Sequence, residues 1–172
     1  MLIELSKLDA DKGSFTHVYE QNELDLADER IRLAGPVSVI GRVKRSGAEV
    51  LIDGKVDTVI EVDCDRCLKV IEMPVDAQFS VEYLSKHDYE AGQAAEIGED
   101  EMGVSVFEGD SIDVDEIVRE QILLFVPARA ICTENCKGIC SACGTDLNVN
   151  DCGCVTEEVD PRWAALKNFK KN

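Results

Sequence analysis

Positions 71, 73, 75, 77, 79, 81 and 83 carry Ile, Met, Val, Ala, Phe, Val and Tyr, whereas the positions between them carry Glu, Pro, Asp, Gln, Ser and Glu. Alternation of that length predicts a half-buried β-strand, because successive side chains of an extended chain face opposite sides. Pro74 stands on the polar parity and marks an edge or a bulge, since it has no amide to give to a neighbour. Upstream, Val50, Ile52, Val56, Thr58, Ile60, Val62 and Cys64 share the even parity, with Gly54 as a bulge or kink. Val37, Val39 and Val43 alternate in the same way before the turn signal Arg45-Ser46-Gly47. These runs predict an antiparallel meander over roughly 36–45, 48–63 and 69–84. Shorter strands near residues 2–6 and 14–20 extend the sheet, and 22–33 fit a short helix or a loop.

Residues 85–105, rich in Gly, Ala and acid, break the pattern and read as a mobile loop or linker. The following segment, SIDVDEIVREQILLFVP (111–127), predicts a helix. Asp113 with Glu116 three residues on has the form of a capping box, and Pro127 ends the element. Its apolar face comprises Ile117, Val118, Gln121, Ile122 and Phe125. DPRWAALKNF near the C-terminus predicts a second, short helix with Pro161 in its first turn, whose Trp163, Leu166 and Phe169 pack on the body of the protein.

The 172 residues are 45% hydrophobic and 31% charged, the composition of a globular chain rather than a disordered one. No run approaches the roughly 18 apolar residues of a membrane span, and the N-terminus has no basic, apolar leader. The expected location is the cytoplasm, where thiols are kept reduced. A net charge of −17 argues against binding nucleic acid through the field of the whole molecule. The acid is uneven: residues 89–118 hold ten Asp or Glu and no Lys or Arg, whereas 119–172 hold seven basic and seven acidic residues. The acidic run reads as a solvated segment, and the locally neutral tail leaves room for a contact with RNA.

Chemistry concentrates in eight cysteines. Six fall in ICTENCKGICSACGTDLNVNDCGC (131–154), and two form VDCDRCLKV at the end of the central strand. C-x2-C at a strand-to-strand turn curls both sulfurs toward one point. Cys64 and Cys67 supply one such knuckle, and Cys140 with Cys143, followed by Gly144, another. Cys132 with Cys136 and Cys152 with Cys154 complete two sets of four, the arrangement of structural zinc. The preferred division is Cys140, Cys143, Cys152 and Cys154 in a local site, and Cys64, Cys67, Cys132 and Cys136 in a site that pins the tail to the sheet. Cys136 in place of one of the C-x-C thiols is the alternative. Disulfides fit the reducing location poorly, and the spacing matches neither ferredoxin pattern. Thioredoxin-like chemistry wants its first thiol at a helix N-terminus, whereas Cys64 is flanked by Asp63 and Asp65, which oppose thiolate formation. Neither His17 nor His87 lies near a cysteine, so an open, catalytic zinc site is not expected.

No phosphate loop, nucleophile elbow or H-E-x-x-H motif occurs, and no small-molecule substrate is indicated. Basic residues gather at Arg42, Lys44 and Arg45 and at Lys167, Lys170 and Lys171, consistent with ordinary surface charge or an RNA contact. The fold class expected is α+β. A mainly antiparallel, partly barrel-like β domain spans 1–84, an acidic flexible loop 85–110, and a helix with the zinc-binding tail packed on the sheet 111–172.

Four segments, VDCDRCLKVIEMPVDAQFSVEYL, DVDEIVREQILLFVP, CKGICSACGTDLN and DPRWAALKNF, resemble in that order the YceD-type large ribosomal RNA subunit accumulation proteins. The resemblance covers about residues 36–170. It implies a non-enzymatic factor of ribosome biogenesis that supports synthesis, processing or accumulation of large-subunit ribosomal RNA. Its partners would be a ribosomal or RNA-processing protein, the RNA itself, or both. It also implies that C-D-R-C is the shared element and the local tail site an elaboration. Two other readings of the residues stand beside it: a thiol-disulfide redox protein using Cys64 and Cys67, and an acidic protein–protein adaptor using residues 89–118.

Overall fold

The computed structural model describes residues 1–20, 22–92, 104–154 and 162. Three long antiparallel strands form its frame: β4 (Val37–Ser46), β5 (Glu49–Asp63) and β6 (Val70–Ser85). Around them lie β1 (Leu2–Glu4), β2 (Lys12–Tyr19), β3 (Ile31–Leu33), β7 (Val104–Phe107) and β8 (Ser111–Asp113). The helices are α1 (Lys86–Gly92) and α2 (Val114–Phe125). The main sheet runs β2-β4-β5-β6-β7, with β3 paired to β5, and a separate ribbon joins β1 to β8. The meander is the one the alternation predicts. Even positions of β5 and odd positions of β4 face the core, where Val39, Val50, Ile52, Val56 and Ile60 are fully buried.

The sheet is open rather than barrel-like, because β2 and β7 end it and do not pair with each other. β7 joins β6 in parallel, the one parallel pairing among the described residues. It covers only Glu82–Ser85 of β6, so among the described residues Pro74 has no partner on that side of the strand and needs no donor. Residues 22–33 hold no helix, and only Ile31–Leu33 is regular.

Gly54 is not a bulge, since the β5–β6 register runs unbroken from Glu49 to Asp63. It pairs with Gly41, which in turn opposes Phe15, while Gly54 opposes Phe79. Four strands thus contribute one row, Phe15-Gly41-Gly54-Phe79. A Cβ on either glycine would fall 2.4 Å from the Cζ of the adjoining phenylalanine. The rings occupy the space a side chain would need, which explains two glycines in mid-strand.

The segment following β6, expected as a loop, begins with α1. Ser85 caps it by accepting the Asp88 amide at 3.2 Å and donating its hydroxyl back to the Asp88 carboxylate. This S-x-x-D signature was present in the sequence. Most of the remaining acidic linker, 93–103, lies outside the described residues, as does the C-terminal helix expected around Trp163, Leu166 and Phe169.

α2 starts at the predicted N-cap, Asp113, whose carboxylate accepts the amide of Asp115 at 3.0 Å in place of the Glu116 amide a capping box would use. It stops at Val126, which is extended as a residue before proline prefers. Val114, Ile117, Val118 and Ile122 are buried against the sheet, each contributing about 1.5–3 kcal/mol of transfer free energy. Leu124 is 71% exposed and Phe125 38%, so the buried stripe is shifted one turn toward the N-terminus of the predicted face. Tyr19 is buried below the start of α2 and donates its hydroxyl to the Asp115 carboxylate at 2.6 Å.

Candidate metal centres

Cys64 follows directly on β5, and Cys67 lies in the turn that leads into β6. Two hydrogen bonds shape that turn: the Cys64 amide donates to the Lys69 carbonyl at 2.9 Å, and the Leu68 amide to the Cys64 carbonyl at 2.9 Å. Leu68 takes the left-handed conformation, φ 61°. The same construction recurs in the tail. There the Cys140 amide donates to the Thr145 carbonyl at 2.8 Å and the Gly144 amide to the Cys140 carbonyl at 2.8 Å, with Gly144 at φ 73°. The chain therefore contains the same knuckle twice, Cys64–Lys69 and Cys140–Thr145, differing in whether glycine or leucine fills the left-handed corner.

Each knuckle meets a second pair of thiols. Cys64, Cys67, Cys132 and Cys136 form one group, and Cys140, Cys143, Cys152 and Cys154 the other; within each, all sulfurs lie within 4.8 Å of one another. These are the two sets that the spacing pairs. In the first, Cys64 Sγ is 3.9 Å from Cys136 Sγ, and Cys67 Sγ is 3.6 Å from Cys132 Sγ. A tetrahedral zinc with Zn–S bonds of about 2.3 Å requires sulfurs about 3.8 Å apart. The donor set and its dimensions therefore fit a zinc-sized ion with four thiolate ligands. Neither group includes a histidine or a carboxylate.

The environment of the sulfurs points the same way. Burial pushes the Cys64 thiol up, but the amides of Cys67, Cys132 and Arg66 outweigh it and bring it down to about 6. The Lys69 amide lowers Cys67, yet burial and the neighbouring sulfurs of Cys136, Cys64 and Cys132 push it up to about 12. In the tail group, the Thr145 hydroxyl and amide draw Cys143 down to about 6, whereas Cys143 and Cys152 drive Cys154 up to about 12. Four sulfurs this close cannot all ionise together without a cation among them.

The first group is a clamp between distant parts of the chain. Asp65 grips the incoming tail through its own amide to the Ala130 carbonyl, 2.8 Å, and through its carboxylate, which accepts the Ala130 amide at 2.7 Å. Arg66 holds the outgoing side, donating to the Cys136 carbonyl at 2.5 Å and accepting the Ile139 amide on its own carbonyl at 3.0 Å. Asp63 pairs with Arg32 at 2.7 Å. The two aspartates flanking Cys64 are thus engaged with an arginine and with the tail backbone. Cys64 and Cys136 are buried, whereas Cys143 and Cys154 in the tail loop are exposed.

The other candidate residues are less concentrated. His17 stacks edge-on against Tyr19, with ring centroids 4.4 Å apart, and His87 is exposed on α1. Arg42 and Lys44 lie on the solvent face of β4; Lys167, Lys170 and Lys171 are outside the described residues. The acidic run is partly structural: Asp110 accepts the Leu5 and Ser6 amides, Asp113 caps α2, and Asp115 binds Tyr19. A groove of about 790 Å³ crosses the sheet beside Ser14, Thr16, Ile40, Arg42 and Lys55, and its lining includes no histidine or cysteine. Among the described residues, no helix is long and apolar enough to cross a membrane. Sequence reasoning did not identify Asp65, Arg66 or Asn148 as supports of the sulfurs. The only available signal was position: Asp65 and Arg66 lie inside the first C-x2-C element, and Asn148 lies between Cys143 and Cys152.

Comparison with known proteins places these features in a family. The chain is 30% identical over 171 residues to the uncharacterized protein YlbN of Bacillus subtilis, covering 99% of this chain and 95% of that one. It is 29% identical over 157 residues to the large ribosomal RNA subunit accumulation protein YCED homolog 1, chloroplastic, of Arabidopsis thaliana, over 79% of this chain. That match spans about half, 49%, of the plant protein. Homolog 2 of the same plant is 29% identical over 167 residues, 92% of this chain and 70% of the relative. No solved structure matches. A family model described as "Large ribosomal RNA subunit accumulation protein YceD" matches residues 52–170, a span that includes both knuckles and all eight cysteines. The chain belongs to the YceD family of large ribosomal RNA subunit accumulation proteins.

Proposed function

We propose that this protein is a non-enzymatic, cytoplasmic factor of ribosome biogenesis, held in shape by two structural zinc ions, that supports the synthesis, processing or accumulation of large-subunit ribosomal RNA. The observation that carries the reading is the use of all eight thiols in two closed sets of four, which leaves no protein ligand position open for a substrate. Cys64, Cys67, Cys132 and Cys136 would hold one ion, and Cys140, Cys143, Cys152 and Cys154 the other. The ions supply folding free energy to a tail with little core of its own; structural zinc contributes about 10–16 kcal/mol in small peptides. The family name supports the link to large-subunit RNA. Contacts would be made to that RNA, or to a ribosomal or RNA-processing protein, from surfaces that the clamp positions. A redox role for Cys64 and Cys67 is disfavoured because Cys64 is fully buried at a strand end, not at an exposed helix N-terminus.

Two measurements test the reading. Protein purified without chelator should contain two zinc ions, one lost in Cys64→Ser and one in Cys143→Ser. The protein should also co-sediment with precursors of the large subunit, and its depletion should lower large-subunit RNA relative to small-subunit RNA. An unchanged ratio after depletion would refute the assignment.

A further inference from the structure

The two sulfur groups are joined by one side chain. Asn148 belongs to the turn between Cys143 and Cys152, inside the tail loop, yet its Nδ2 donates to the Sγ of Cys136 in the clamp at 3.4 Å. The same Nδ2 donates to Asp146 Oδ1 at 2.7 Å, and Oδ1 of Asn148 accepts the Lys137 amide at 2.7 Å. Chemistry fixes the amide in this orientation. Reversing it would set an oxygen against the sulfur and an NH2 group against the Lys137 N–H. The loop backbone is held at the same place, through the Leu147 amide to the Gly138 carbonyl at 2.9 Å and the Ile139–Asp146 bridge. Within the turn, the Asp146 carboxylate accepts the Asn148 amide at 2.8 Å, and the Asp146 carbonyl accepts the Val149 and Asn150 amides at 3.1 and 3.0 Å. Asn148, Val149 and Asn150 are exposed, and the turn is closed at its two ends by Cys143 and Cys152 of the tail group.

We propose that Asn148 is a positioning residue that couples the two metal centres. Metal bound by Cys140, Cys143, Cys152 and Cys154 fixes the turn and so holds the Asn148 amide against the Cys136 sulfur. Each ion thereby strengthens the other's binding by the same factor, because coupling between two sites is reciprocal. The donor is well suited to this role: an N–H bonded to a thiolate ligand stabilises the charge that the metal needs. Loss of such a support commonly lowers metal affinity about 10–100-fold. The inference rests on the reading that both groups hold zinc.

The test follows zinc release to a chromogenic chelator, with the clamp's phase identified by its absence in Cys64→Ser. Emptying the loop with Cys143→Ser should accelerate release from the clamp about 10-fold or more, and Asn148→Ala should do the same with the loop ligands intact. The double variant should release clamp zinc no faster than the faster single variant. In cadmium-loaded protein, Asn148→Ala should move the NMR resonance of the clamp ion. Asn148→Asp retains the side chain's shape and the acceptor for Lys137, but not the N–H to sulfur; it should move that resonance too. Two bound ions with an unmoved clamp resonance in both Asn148 variants, or rate effects of Cys143→Ser and Asn148→Ala that multiply, would overturn the coupling alone. Fewer than two zinc ions in the native chain would overturn both the coupling and the zinc reading.

Discussion

Replacing Gly54 by alanine adds one methyl group to a place the sheet has already filled. Its Cβ would meet Phe79 Cζ at 2.4 Å and Cε1 at 2.9 Å, and the Ile40 carbonyl oxygen at 2.7 Å. The ring can swing aside, although Phe79 is only 7% exposed and its neighbours must then repack. The carbonyl cannot move so easily, because it belongs to β4, which is paired with β5 through this row. Overpacking of this kind costs about 1–3 kcal/mol. Alanine is better than glycine in a strand by about 0.5–1 kcal/mol, which offsets part of the strain. The net expectation is a destabilisation of about 1–2 kcal/mol, or about 3–6 °C in Tm for a chain of this size. Gly35→Ala is the control: nothing lies within 4 Å of its Cβ, so the same chemical change should be neutral or slightly stabilising. Thermal unfolding of both variants, with zinc held at one concentration, separates the two effects. A Gly54→Ala Tm equal to or above that of the native chain would refute the reasoning. So would equal shifts in the two variants.

Other expectations follow from the same geometry. Leu68 holds a left-handed corner that glycine occupies in the second knuckle, and its side chain is 63% exposed. Leu68→Gly should therefore leave stability unchanged or raise it by up to about 1 kcal/mol in denaturant titrations, despite the flexibility glycine adds to the unfolded chain. Burial raises the Asp115 carboxyl, but the N-terminal amino group and the Tyr19 hydroxyl outweigh it and hold it below its ordinary value. Its contribution is therefore complete above the ordinary carboxylate range, near pH 4, and is lost as pH falls through the lowered native value. Tyr19→Phe should flatten the stability–pH curve below about pH 4; an unchanged slope would contradict the assignment. Cys64→Ser should release the tail from the sheet, seen as faster hydrogen exchange at Asp65, Ala130 and Ile139, whereas Cys143→Ser should leave the amides of β4, β5 and β6 protected. Equal protection of Ala130 in both variants would show that the clamp does not hold the tail.

The parts of this molecule legible in its sequence are those fixed by local pattern. Period-two alternation placed the meander to within a residue or so because one face of each long strand is buried and the other wet. The Asp113 cap and Pro127 bounded α2 because both act within a single turn. The grouping of the thiols was legible because close pairs in a knuckle can turn only toward one point. What was missed depends on distant partners. β7 is four residues whose parallel pairing with Glu82–Ser85 has no local signature, and the open sheet edge depends on where β2 and β7 end. The role of Gly54 needed Phe15, Gly41 and Phe79 brought into one row from three other strands. Asn148 looked like an ordinary turn residue until the fold brought the Cys136 sulfur to it.

The span of the clamp also separates the two sulfur groups by what their closure requires. Cys64 and Cys136 are 72 residues apart, and Cys67 and Cys132 are 65 apart, with β6, both helices and β7 between them. The ligands of the tail loop all lie between residues 140 and 154. The loop's four thiols can gather within that short stretch without any contact from the sheet. The clamp's thiols meet only when β5, β6 and α2 are in place, because closing so long a loop without those contacts is opposed by chain entropy. An ion enclosed at the clamp would thus mark a chain that has finished folding, whereas an ion in the loop would mark only one that has been made.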